Sequence, residues 1–120
     1  MRDVEQVLTR VLGGWAAGSV LVGAVLAADP RTRPFARQTA AWGAVDGAIA
    51  VVGSRRRAAR GPTDPARLRR VLLVNAGLDV GYVAAGAALL RTRWRGDGQA
   101  VLVQGAFLLV LDTVAARALR

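Results

Sequence analysis

The sequence contains no cysteine, no histidine and no lysine. Without Cys or His there is no disulfide, no thiolate nucleophile, no imidazole base, no histidine-bound haem and none of the ordinary zinc or copper sites. Aromatic residues are scarce, with three Trp, one Tyr and two Phe in 120 residues. Acidic residues number 8 against 17 basic ones, so the net charge is +9. Serine occurs only as Ser19 and Ser54, and neither stands beside a candidate base. The side chains that hydrolytic or nucleophilic catalysis needs are missing, so the expectation is a protein that is not an enzyme, with no cofactor and no metal.

What the chain does have is apolar length. Hydrophobic residues make up 53% and mean hydropathy is +0.33, although 21% of residues are charged. Both can hold only if charge is segregated, and it is: apolar runs at 11–28, 39–53, 71–90 and 100–116 alternate with arginine-rich connectors. A helix that spans a bilayer needs roughly 17 to 25 residues. The second run has 15, but Pro34 is a favoured first-turn residue and can start that helix at 34, giving 20 residues, or about 30 Å. Asp29-Pro30 should stop the first span, Thr63 or Asp64 before Pro65 should cap the third, and Gly96 to Gly98 should break the chain before the fourth. No segment alternates with period two. The expectation is a single all-α domain over 1–120, an integral membrane bundle of four transmembrane helices at about 4–28, 34–53, 65–91 and 99–117. A soluble four-helix bundle would need polar outer faces, which 16–27 and 71–74 hardly offer. The first run is long for a cleaved signal core and reads as a signal-anchor span.

Arginine placement orients the bundle. Arg2, Arg10, Arg55, Arg56, Arg57, Arg60, Arg67, Arg69, Arg70, Arg117 and Arg120 fall on one side, and Arg31, Arg33, Arg37, Arg91, Arg93 and Arg95 on the other. The positive-inside rule puts both termini in the cytoplasm. Arginine without lysine, together with abundant Ala, Gly and Val, points to a GC-rich bacterial genome and hence a bacterial plasma membrane. In a soluble domain this charge would suggest nucleic acid. Here Arg55, Arg56, Arg57 and Arg60 read instead as contacts for anionic lipid headgroups, each worth about 1 kcal/mol, and no nucleic-acid partner is expected. Trp94, between Arg93 and Arg95, fits an interfacial anchor.

Polar side chains inside the spans carry most of the functional information, because each costs on the order of 3 kcal/mol at mid-bilayer and turns inward. Helical spacing groups Trp42, Asp46 and Ala50 on the second span, Asn75, Asp79, Tyr82 and Gly86 on the third, and Gln104 and Asp112 on the fourth. Counting depth at about 1.5 Å per residue predicts three contacts: Asp46 with Asp79, Asn75 with Asp112, and Tyr82 with Gln104. No arginine lies mid-span, so an ionised pair there would be very costly, and at least one Asp is expected to be protonated. Asp112 lies one turn from its helix end, where Arg117 or Arg10 offers a partner. Asp46, Asp79 and Asp112 are each 33 residues apart, but the flanking residues do not align, so the spacing reads as coincidence. Gly14-xxx-Gly18, Gly43-xxx-Gly47 and Gly77-xxx-Gly81 signal close helix packing, within one chain or between protomers of a homo-oligomer.

Two readings follow. In the first the protein is a structural or accessory membrane protein whose hydrogen-bonded polar core specifies the bundle. In the second it is a proton- or cation-coupled carrier, or a small-ligand-binding protein, that uses Asp46 and Asp79 with Asn75, Tyr82 and Gln104 as partners. A cavity reaching the acids would favour the second and a dry contact the first.

Three blocks, at 42–46, 75–82 and 104–112, resemble a bacterial family of small four-span membrane proteins classed as a domain of unknown function. The resemblance covers most of the chain and implies the fold and the location without supplying an activity. In that family an Asn often stands where this chain has Asp46, and a His often follows the acid of the last span, where this chain has Val114 to Ala116.

Overall fold

The computed structural model describes residues 3–119. They form four helices, α1 (Val4–Leu26), α2 (Arg33–Arg60), α3 (Pro65–Leu89) and α4 (Arg95–Ala118), with no strand among the described residues. The starts follow from capping chemistry. The Asp3 carboxylate accepts the Gln6 N–H, the Asp64 carboxylate accepts the Arg67 N–H, and Pro34 and Pro65 occupy first turns. After α1, the Asp29 carboxylate accepts the Arg31 N–H and closes the turn.

Two limits differ from the sequence expectation by more than two residues. Helix α2 continues about two turns past Gly53, because Arg55 to Arg60 are all Arg or Ala, good helix formers, and the chain first turns left-handed at Gly61, with φ 79°. Helix α4 begins at Arg95, so Gly96 to Gly98 form its first turn and are not a break. Gly98 is there for contact, since a Cβ at that position would sit 2.7 Å from Leu89 Cβ and 2.8 Å from the Gly86 carbonyl oxygen.

Helix α1 packs on α2, and α3 on α4; α2 against α4 joins the two hairpins, with a slighter contact of α1 on α4. Helix α4 therefore touches all the others, and it buries the most residues. The backbone of helix α3 packs closely only on α4: no Cα of α1 or α2 comes within 8 Å of a Cα of α3.

Small residues set the close approaches. Gly23 lies against Ala36 and Ala40, Gly43 against Ala16 and Ser19, Gly86 against the Leu102 backbone, and Gly105 against Tyr82 and Val83. Of the expected packing glycines, Gly43 does this and Gly47 makes ordinary contact with Ala16. Gly14, Gly18, Gly77 and Gly81 meet nothing within 4 Å, a correction with a geometric cause. At about 100° per residue, Gly14 and Gly18 lie roughly 140 to 180° around α1 from Gly23, and Gly77 and Gly81 stand the same way to Gly86 on α3.

The outside of the bundle is apolar. Leu21, Val25, Val45, Ile49, Val52, Val74, Leu78, Val110 and Val114 are all more than half exposed, while Ser19, Thr39, Asp46, Asp79, Asp97, Gln104 and Asp112 are buried among alanines. A water-soluble bundle has the opposite distribution. Three helices, α1, α3 and α4, are long and apolar enough to cross a membrane. Helix α2 is long enough, but Arg37, Gln38 and Asp46 interrupt its apolar stretch.

Candidate functional site

Because α2 and α3 stay apart, a crevice of about 640 Å³ opens between them, and Asp46, Asp79 and Asp112 line it from α2, α3 and α4. The three acids are 2%, 3% and 8% exposed. Glu5, Arg56, Thr63 and Arg67 mark one end. Toward the other, Trp42 and Tyr82 meet edge to face with ring centroids 5.0 Å apart at 77°. Along the flank the walls are Val45, Ile49, Val52, Val71 and Leu78, all substantially exposed, so the crevice is open sideways between the helices.

The acids converge because of how side chains leave antiparallel helices. Leu72 packs with Ala115 and Ala116, and Tyr82 lies over Gly105, a register that sets Asp112 about one turn from Asp79 along the axis. Each Cα–Cβ bond tilts toward its own helix N-terminus, so Asp79 and Asp112 lean toward one another. Their carboxyl groups come within hydrogen-bonding reach, with Asp46 near enough to interact electrostatically with both. Yet Asp46 Oδ2 and Asp79 Oδ2 are buried with no hydrogen-bond partner among the described residues. No three acidic groups among those residues converge closely enough to hold a metal ion. Buried oxygens of this kind cost free energy until a donor meets them.

A second polar cluster, where α4 meets α1, has no such deficit. The Gln104 carbonyl oxygen accepts the Trp15 indole N–H at 2.8 Å, and its amide nitrogen donates to the Ser19 hydroxyl at 3.2 Å. Trp15 stacks on Phe107 with centroids 3.8 Å apart and planes within 5°.

A third cluster ties α1 to α2. Arg57 donates to Asp3 and, at 3.0 Å, to Glu5, whose carboxylate also accepts the Thr63 N–H at 3.1 Å. The Arg57 guanidinium holds the Asp3 carboxyl below the usual carboxylate range. Arg57 is thus an internal clamp and not a free headgroup contact, whereas Arg55, Arg56 and Arg60 are exposed.

The structure sorts the residues expected at a site as follows. Asp46 and Asp79 share one crevice, joined by Asp112, which pairs with neither Arg10 nor Arg117. Asn75 lines the crevice as an exposed residue and makes no side-chain hydrogen bond to Asp112. Tyr82 meets Trp42, and Gln104 turns to α1 instead of Tyr82. Trp15, Ser19 and Phe107 went unrecognised as a unit. Their signal was present in the spacing: Trp15 and Ser19 are four residues apart, and Gln104 and Phe107 three, so each pair shares a helix face.

No curated protein and no solved structure matches the chain. Residues 11–113 do match the model of a family of unknown function, DUF6992, and the chain belongs to that family.

Proposed function

We propose that this chain is a four-span protein of the bacterial plasma membrane, with both termini cytoplasmic, that binds a proton or a cation at Asp46, Asp79 and Asp112 and catalyses no covalent reaction. The observation that carries the reading is the pair of buried, unpartnered oxygens, Asp46 Oδ2 and Asp79 Oδ2, on an open crevice. A core that served only to specify the bundle would be expected to satisfy its polar groups, as Gln104 does. The apolar outer faces support the membrane setting, including for α2, whose Asp46 points inward. Exposed Arg55, Arg56 and Arg60 sit beyond Gly53, where anionic headgroups would meet them.

Carboxyl vibrations of the protein in lipid, followed while protons, sodium or methylammonium are added, test the site. The expected result is a band change that Asp46→Asn and Asp79→Asn each diminish. A spectrum indifferent to all three additions would leave a purely structural core. The native absence of cysteine makes topology equally accessible. A cysteine placed at Ala58 should react with an impermeant reagent only from the cytoplasm, and one at Thr92 only from outside.

A further inference from the structure

We infer that the crevice takes a lipophilic organic ammonium ion that carries N–H, entering sideways from the membrane between α2 and α3. This rests on the carboxylate site proposed above and names its ligand class. The volume, about 640 Å³, lies in the range of organic ligand pockets and far exceeds what a bare ion fills. Its walls are aliphatic, Val45, Ile49 and Leu78 among them, and suit a hydrocarbon body. At the floor, Asp46 Oδ2 and Asp79 Oδ2 lack hydrogen-bond donors among the described residues. A protonated amine supplies donors and positive charge together; a quaternary ammonium supplies charge alone. The Trp42 and Tyr82 rings at one end add aromatic faces of the kind that attract cations. Among the described residues no three acidic groups converge closely enough to hold a metal ion.

Charge at the rim favours the lateral route. The ionisable groups around the cavity are Glu5 from α1, Arg56 from α2, Arg67 and Tyr82 from α3, and the three acids. Glu5 is engaged by Arg57, which leaves Arg56 and Arg67 to repel a cation approaching from that end. Among the described residues the flank between α2 and α3 carries no charge, and an amine dissolved in the bilayer meets it directly.

The test is calorimetric titration of the protein in lipid nanodiscs with phenethylammonium, with its N-trimethylated counterpart, and with sodium. Phenethylammonium is expected to bind saturably, at least about tenfold more tightly than the quaternary ion, as befits hydrogen bonds to charged acceptors. Asp46→Asn and Asp79→Asn should each weaken it about tenfold or more. Ile49→Trp, which fills the crevice from its exposed wall and leaves the acids in place, should abolish it while helical content is retained. Equal affinity for the quaternary ion, or binding unaffected by Ile49→Trp, overturns the inference. If sodium or protons perturb the carboxyl vibrations while phenethylammonium does not bind, the ligand class is wrong and the carboxylate site stands. If nothing perturbs them, both fall.

Discussion

Two neighbouring faces of α4 hold polar clusters of opposite character. On one, Gln104 is locked between Trp15 and Ser19, its amide satisfied at both ends and roofed by stacked rings. On the other, Asp46, Asp79 and Asp112 face a crevice, and two of their oxygens have no partner among the described residues. A satisfied cluster holds helices together, while an unsatisfied one beside open volume is poised to receive something. The difference originates in packing. Helices α1 and α2 close around small residues such as Gly43 and Gly23, whereas the backbone of α3 packs only on α4, so α3 meets α2 through the Tyr82–Trp42 contact and leaves the rest of that flank open.

The contrast breaks most visibly at the glycines. Gly86→Leu would drive a side chain into the Leu102 backbone, 2.6 Å from where its Cβ must go. It should cost more than about 3 kcal/mol in unfolding assays from mixed micelles, or prevent assembly outright. Gly77→Leu, with nothing within 4 Å, should stay within about 0.5 kcal/mol. Equal effects would mean that the α3–α4 contact is misassigned.

Replacing the satisfied polar group comes next. Gln104→Leu strands the Trp15 N–H and the Ser19 hydroxyl and is expected to cost about 1 to 2 kcal/mol, with a change in Trp15 fluorescence. At the acids the outcome should be different. Asp46→Asn replaces a buried carboxyl oxygen that no described donor meets, so it should not destabilise the protein while cation binding falls. A large destabilisation by Asp46→Asn would make the acids structural glue and erase the distinction.

The smallest effect belongs to the Arg57 clamp. Because the Asp3 carboxyl is held below its usual value, its stabilisation is fully present above the unfolded value, about 3.9, and is lost as pH falls through the lower folded one. Hydrogen exchange at the start of α1 should therefore accelerate only in strong acid, and in Asp3→Asn it should be fast at every pH. Salt should weaken the contact in the wild type, since the pair is near the surface.

Most of the architecture was legible because it depends on local chemistry. Runs of apolar residues, Pro34, Asp64 and Pro65 act within one or two turns, so four helices could be read directly. Gly96 to Gly98 misled because glycine serves both as a breaker and as a contact residue, and only the approach of Leu89 tells which. The acids were legible as a group, but depth counted along Cα positions missed the Asp79–Asp112 contact. The tilt of the side chains, in opposite senses on antiparallel helices, carries them across a full turn. The equal spacing of 33 residues, read as coincidence, accompanies three side chains that meet at one site.

The sequence by itself determined that there are four helices, that their outer faces are apolar and that acids without internal counter-charges are carried inward, because each of these depends on residue type and period. Which glycines touch, that Gln104 belongs to Trp15 and Ser19, and that a crevice stands beside Asp46 and Asp79 were decided by tertiary structure alone. Those features depend on which face of each helix meets which neighbour, and helix rotation and pairing arise from the packing of all four helices at once.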